Sequence, residues 1–409
     1  MNHKAFIYLL TLLFSLTTFA QNKNVISAEK LIKVKGNTSK ARELISQAMT
    51  DSTTANNART WFVAANIEIE YFRDEYHKLT INPNDSRVNK IAMAQSLIDA
   101  YNYYLKALPL DSVITKRGKI KTTYSKDILK NLKDLYIGQH FLWAASTFNQ
   151  EKKRYPQAFN AFTIQGDIPG LQLFSKDSNI SSITDSIRGN SYFNAGISAW
   201  SGGEPLIGAK SFCKARQHKY LKEDVFSYEI ACYQALAQKD TAYIDLAQNE
   251  MINTAKAGYE TFGNNVPLFL HLYIRGLTLN NQADIALDLL SREIAKTPQD
   301  GILYRHRAFV YDNIHDDEKS VADYIKAAEL TPDYETLIEA SRKIGMVGIK
   351  KIREANNNSE PTANKRQIID CYFNKALEFA TKAKAINPNN PDLDIIIENI
   401  TYNIESNNF

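Results

Sequence analysis

This 409-residue sequence predicts an all-α fold of stacked αα-hairpins, wound as an α-solenoid superhelix. Three observations carry that expectation. Only 16 Gly and 11 Pro occur, well below ordinary usage of about 7% and 5%. The chain therefore lacks the turn residues that an all-β fold needs. Small and large apolar residues recur at spacings of three and four, the period of a buried helix face. The same pattern then returns after 34 residues, which marks a repeat architecture. A 44% apolar and 23% charged composition is that of a folded chain. Forty-nine basic against forty-five acidic side chains leave +4, too weak a bias to imply nucleic acid.

Residues 1–20 read as an address rather than as structure. Lys4 is a short positive region, and Ala5 to Leu16 is uncharged and mostly apolar. Thr18-Phe19-Ala20 ends the segment with small residues at the first and third places. This is the pattern of a secretory signal cut after Ala20, and the apolar run is too short to span a bilayer. No Cys follows the cut, which argues against a lipid anchor. The expected product is exported, to periplasm or exterior, with no transmembrane segment.

Residues 21–170 read as diverged helical repeats. Ala41, Ile45 and Ala48 suit a second helix of a hairpin, and Trp61, Ala65 and Ile69 a first helix. Ala100, Tyr104 and Ala107 follow an insert at Asn82-Pro83-Asn84-Asp85, and Leu142, Ala145, Ala158 and Phe162 suggest a further hairpin. From Gly166 to Gly189 the chain is rich in Ser and Asp and carries Pro169-Gly170, so the boundary between two arrays is expected there.

Residues 189–334 carry the clearest register. Tyr304, Ala308 and Tyr311 form one helix face, Ser320, Tyr324 and Ala327 a second, and Asn313 to Asp317 the turn between them. Pro332 stops the second helix. The equivalent places from Gly189 are Tyr192, Gly196, Ala199, Gly208, Phe212 and Ala215. From Glu223 they are Phe226, Ile230, Tyr233, Ala242 and Leu246; from Pro267 they are Leu270, Ile274, Leu277, Ala286, Leu290 and Pro298. Only the step from Phe226 to Leu270 breaks the count, by ten residues, which the loop around Gly263-Asn264-Asn265 is expected to carry. Residues 335–409 read as one more repeat, with Ala376, Ala380, Ala383 and Pro388 in its second helix and a capping helix over 392–406. A cap covers the apolar face that an open stack leaves in water.

At these residues the chain resembles the tetratricopeptide repeat family, in an exported form with degenerate repeats. The resemblance rests on the period, the small residues at places eight and twenty, the large ones at four, eleven and twenty-four, and the closing Pro298 and Pro332. Ile230 and Ile274 depart from the small eighth place. The resemblance implies a concave groove lined by places two, five, six, nine and twelve of each first helix. Those places are Asn190, Phe193, Asn194, Ile197 and Trp200, then Ser227, Tyr228 and Gln234, then His271 and Arg275, then Arg305, His306, Phe309 and Asp312. One end is then aromatic and amide-rich, while His271, Arg275, Arg305 and His306 make a cationic cluster at the other. The partner-binding set implied is Asn194, Trp200, Tyr228, His271, Arg275, Arg305, His306 and Phe309. The family's carboxylate clamp of Lys and Asn is not reproduced, since Phe193 and Ile197 stand at its places.

No catalytic or cofactor motif is present: there is no HExxH, CxxC, GxSxG, Walker loop or GxGxxG. No two of the seven histidines lie at helical ligand spacing, so neither metal nor cofactor is expected. His315-Asp316-Asp317 reads as a turn. Lys116-Arg117-Gly118-Lys119-Ile120-Lys121 is a basic run, read as a solvated loop. Cys213, Cys232 and Cys371 are too few and odd for a disulfide framework. Each sits on an apolar helical pattern that suits a buried thiol, and a Cys213–Cys232 pair stays open. Asp51-Ser52-Thr53, Asp111-Ser112-Val113, Asp185-Ser186-Ile187 and Asp240-Thr241-Ala242 are similar to an O-glycan acceptor pattern of some bacterial exported proteins. The expected function is a non-catalytic exported scaffold for a protein or peptide. The alternatives are an envelope glycan-binding or uptake component and, behind it, a helical-toroid enzyme.

Overall fold

The computed structural model describes residues 22–407 apart from Lys35, Thr115 and Thr184. The leader expected over 1–20 lies outside the described residues. Nearly all of what is described is helix, and helices adjacent in sequence pack side by side as hairpins. Two compact units divide at Ala247 and Gln248.

The first unit begins with α1 over 22–31, followed by α2 (Thr38–Thr50), α3 (Ala58–Ile81) and α4 (Lys90–Leu110). A short antiparallel ribbon follows, β1 (Val113–Ile114) and β2 (Ile120–Lys121), paired Val113 to Lys121. It corrects the expectation of a plain loop: the basic run is the turn and second strand of a hairpin. The Asp111 carboxylate fastens its base by accepting from the backbone N–H groups of Thr123, Tyr124 and Ser125 at 2.8–2.9 Å. Then come α5 (Ser125–Ile137), α6 (His140–Phe148), α7 (Tyr155–Asp167), the short α8 (Ser178–Ser181), α9 (Asp185–Ser201), α10 (Pro205–Gln217) and α11 (Glu223–Lys239). Tyr104, Phe141, Phe148 and Phe174 are fully buried in this unit's main core.

The 19-residue α12 (Ile244–Phe262) carries the division between the units. After it come α13 (Pro267–Leu279), α14 (Ala283–Lys296), α15 (Gly301–Asn313), α16 (Asp317–Leu330), α17 (Tyr334–Asn357), α18 (Thr362–Ile368), α19 (Asn374–Ile386) and α20 (Pro391–Ser406). Phe373, Phe379, Leu393 and Ile400 join the core that α17, α19 and α20 close.

The turn inside a hairpin repeats atom for atom. Gly203, Asn281 and His315 occupy place fifteen, and all are left-handed, at φ 79°, 58° and 61°. The next residue's N–H reaches back to the carbonyl at place eleven, Ala199, Leu277 or Tyr311, at 2.9–3.0 Å. This is the helix-ending motif that satisfies orphan carbonyls. Asp300, Asp316 and Asp333 then start α15, α16 and α17 by accepting from backbone N–H groups of the first turn. Place one is pinned as well. A Cβ at Gly189 would lie 2.9 Å from the Ala215 carbonyl oxygen, and one at Gly301 would lie 2.7 Å from that of Ala327. Both hairpins close by backbone approach that only glycine allows.

Three expectations are corrected here. Ala242 and Leu246 do not form the second-helix face after Phe226: both are exposed, and Ala247, Thr254 and Ala255 are buried instead. The extra residues are absorbed chiefly by longer helices, α11 with 17 residues and α12 with 19 against 13 in α15 and 14 in α16, and not by the loop at 263–265, because a longer helix leaves no backbone groups unpaired. The compact division does not fall at 166–189. There Gly166 lies against the Tyr192 ring, and the Tyr192 hydroxyl and the Lys214 amine both donate to Asp167 at 2.7 Å, so α7, α9 and α10 are tied together. Finally, the three cysteines are free thiols with unequal settings: Cys232 is buried, Cys213 half-buried and Cys371 exposed. No helix among the described residues is long and apolar enough to cross a membrane.

Candidate functional site

The eight implied partner-binding residues divide between the units. Asn194, Trp200 and Tyr228 belong to the first, on α9 and α11. Packing accounts for most of what surrounds them. Phe193 lies within 5.4–6.1 Å, ring centre to ring centre, of Phe212, Tyr220 and Tyr228, and Tyr228 stacks on Phe212 at 5.6 Å. The Asn194 amide donates to the Asn190 carbonyl of its own helix at 2.8 Å. This end is an aromatic seam between hairpins, with the Tyr228 edge left in solvent.

The other five residues converge within the second unit. His271, Arg275, Arg305, His306 and Phe309 line one pocket of about 320 Å³, together with Ile274, Asp312, Tyr324, Glu339, Arg342, Lys343 and Met346. The last four fall on one face of α17, at spacings of three, one and three, so α13, α15 and α17 present adjacent faces while α16 supplies Tyr324 from below. The floor is apolar and aromatic, with Phe309, Ile274 and Tyr324. The His271 and His306 rings are 5.0 Å apart.

The charges of this pocket differ from the expected cluster of four cations. His306 is 6% exposed. Burial, then the neighbouring His271 and Arg305, push it down to about 3. Burial and the Arg275 and Arg305 charges lower His271 too. Two neutral imidazoles therefore stand where the sequence suggested positive charge, since ionising them would desolvate a charge beside guanidinium groups. Arg305 is engaged: it donates to the Thr336 hydroxyl at 3.1 Å and lies 3.7 Å from Glu339 and 3.8 Å from Asp333. Burial raises the Glu339 carboxyl despite that guanidinium. Lys343 is held between Asp312 and Asp317, and these carboxylates outweigh the burial that disfavours its charge.

What remains uncommitted defines the chemistry. Arg275 and Arg342 are exposed at the rim and make no ion pair or hydrogen bond among the described residues. At the floor the His306 and Tyr324 side chains, 6% and 5% exposed, line the pocket and make no hydrogen bond among the described residues. Met346 adds an apolar lip and is 61% exposed. The pocket thus offers two exposed guanidinium groups at the rim, an imidazole and a hydroxyl at the floor, and apolar lining from Ile274, Phe309 and Met346. Among the described residues no group of three His, Cys, Asp or Glu side chains is placed to hold a metal ion.

Sequence reasoning missed Tyr324 as a pocket residue, because its place belongs to the core face, and it missed all of α17. A signal was available. Counting from Glu335, one period after Gly301, places five, nine and twelve are Glu339, Lys343 and Met346.

No protein-family model matches the chain, and no curated protein matches it. Among solved structures it is similar to YrrB, described as a TPR protein with an unusual peptide-binding site, at 14% identity and a TM-score of 0.32. That match covers 54% of this chain and 98% of the other. Yeast Tom70 matches at 15% identity and a TM-score of 0.30, over 93% and 81% of the two chains. Cut9 with Hcn1, from an APC/C hetero-tetramer, matches at 13% and 0.28, over 96% and 94%. The fold of this chain is a stack of αα-hairpins.

Proposed function

We propose that the chain is an exported, non-catalytic scaffold whose second unit binds a peptide segment of a protein partner in the pocket between α13, α15 and α17. The observation that carries this is one pocket with the exposed Arg275 and Arg342 at its rim and the His306 and Tyr324 polar groups at its floor. His306 and Tyr324 can each give a ligand one hydrogen bond at the floor, worth about 0.5–1.5 kcal/mol net. An Arg pair takes a carboxylate by forked hydrogen bonds, and Phe309, Ile274 and Met346 take an apolar side chain. The ligand that fits is a segment with an apolar residue beside one or two carboxylates, from Asp, Glu or a chain end. Export is part of the proposal and is supported by residues 1–20.

Peptide display against the processed chain tests this reading. Selected sequences are expected to place an apolar residue next to acid and to lose binding to an Arg275→Glu/Arg342→Glu variant. Selection of basic peptides, or equal binding by the variant, contradicts it. Mass analysis of the chain from its native host is expected to start at Gln21; a mature protein that keeps residues 1–20 contradicts export by a cleaved signal.

A further inference from the structure

We infer that the first unit holds a separate site for a neutral, polyhydroxylated ligand, a saccharide, in the pocket between α3 and α5. The pocket has a volume of about 270 Å³, near the lower end of small-molecule sites at about 300 Å³. Its centre is a fixed pair of amides. The buried Tyr104 hydroxyl donates to Asn66 Oδ1 at 2.6 Å and accepts from Asn131 Nδ2 at 2.7 Å. Asn131 Nδ2 also lies 3.4 Å from Asn66 Oδ1. Tyr104 is fully buried, so each amide is clamped by one end. The other ends, the Asn66 NH₂ and the Asn131 carbonyl, have no partner among the described residues, and both side chains line the pocket. A donor and an acceptor are thus held side by side, oriented in advance, and satisfied only by a ligand or water.

The surroundings select the ligand class. Glu70 and Asp127 bring two negative charges to the pocket, and Arg73 and Lys130 bring two positive ones. A balanced wall neither attracts nor repels an ion, in contrast to the Arg-rimmed pocket of the second unit, so the favoured ligand is neutral. Each hydroxyl of a vicinal diol both donates and accepts. Two neighbouring hydroxyls can therefore pair with the Asn66 NH₂ and with the Asn131 carbonyl or the Asp127 carboxylate. Phe62 completes the wall, fixed by stacking on Tyr124 at 4.6 Å. An aromatic face accepts the C–H face of a sugar ring. A peptide backbone presents one donor and one acceptor per residue and needs apolar recesses for its side chains. Here only Phe62 and Ile32 are apolar, which favours the saccharide.

The test is saturation-transfer NMR on the full chain with maltose, cellobiose, xylobiose and N,N′-diacetylchitobiose, beside an uncharged hexapeptide. At least one saccharide is expected to show transfer concentrated on ring C–H protons, with dissociation in the millimolar range. The variants are Phe62→Leu, which keeps the apolar bulk, and Asp127→Asn at an exposed position. Each is expected to weaken binding at least fivefold with an unchanged circular dichroism spectrum. Arg275→Glu/Arg342→Glu is expected to leave it unchanged. Transfer to none of the four saccharides overturns the proposal. So does transfer to the peptide alone, or saccharide binding that both first-unit variants retain.

Discussion

The hairpins that begin at Gly189 and Gly301 lie 112 residues apart and share one register, yet their outward faces differ. Both place a glycine against a carbonyl of the second helix, and both turn through a left-handed residue at place fifteen. At place five one has Phe193, packed on Tyr228 of α11, and the other has Arg305, facing Glu339 of α17. At place six Asn194 bonds its own helix, while His306 sits buried with its ring 5.0 Å from that of His271. Inward places are fixed by backbone approach, so they repeat. Outward places are free of that constraint, so one hairpin packs them into an aromatic seam and the other turns them to the pocket, where the proposal places a ligand.

The largest effect expected is on the shared places. Gly301→Val drives a branched side chain into the Ala327 carbonyl and Thr331, and is expected to cost about 3 kcal/mol in urea unfolding followed by circular dichroism. Gly189→Val is expected to match it, because Ala215 and His218 carbonyls stand in the same way. A loss in one hairpin and none in the other would break the shared register.

The next separates place six. Folded His306 is held down to about 3, against 6.5 when unfolded. Its folded value is depressed, so the unfolded chain takes up the proton first. Stability is full above about 6.5 and falls as pH drops toward 3. At pH 5 the loss is about 2 kcal/mol. His306→Asn installs the residue of the first hairpin and is expected to remove this component from the slope of unfolding free energy against pH.

Place five differs too. Phe193→Ala opens the aromatic seam and is expected to cost about 2 kcal/mol, less than a fully buried Phe because the ring is only half-buried. The smallest effect is at place fifteen. His315→Gly puts the first hairpin's residue into a left-handed turn that strains any side chain, and is expected to stabilise by about 1 kcal/mol in the same urea experiment.

How much of this was legible in the sequence follows from what local spacing can encode. The register at Tyr192, Gly196, Phe212, Tyr304 and Ala308 was legible because a packed hairpin repeats the same small and large places. The slip at Ala242 was not, since α12 is helical in either register and only its neighbours decide which face is buried. The ribbon at 113–121 was hidden by its length, too short for strand periodicity. The count of places put His271, Arg275, Arg305 and His306 on one groove face, and they line one pocket, but their charge was not legible: burial that only packing creates lowers both imidazoles. Asn66 and Asn131 are 65 residues apart, and nothing local links them. Asn66 does stand at place nine counted from Ala58, so the same count extended to the diverged repeats would have singled it out.

The measurement closest to the central claim, that outward places of the second unit are kept for a ligand rather than for the fold, pairs stability with binding in one variant. Arg275→Glu/Arg342→Glu is compared with the parent chain by thermal unfolding and by anisotropy of a selected acidic peptide. The account predicts a stability change under about 0.5 kcal/mol, as for other exposed positions, with at least tenfold weaker binding. Unchanged binding, or a loss of stability as large as that of Gly301→Val, would contradict it.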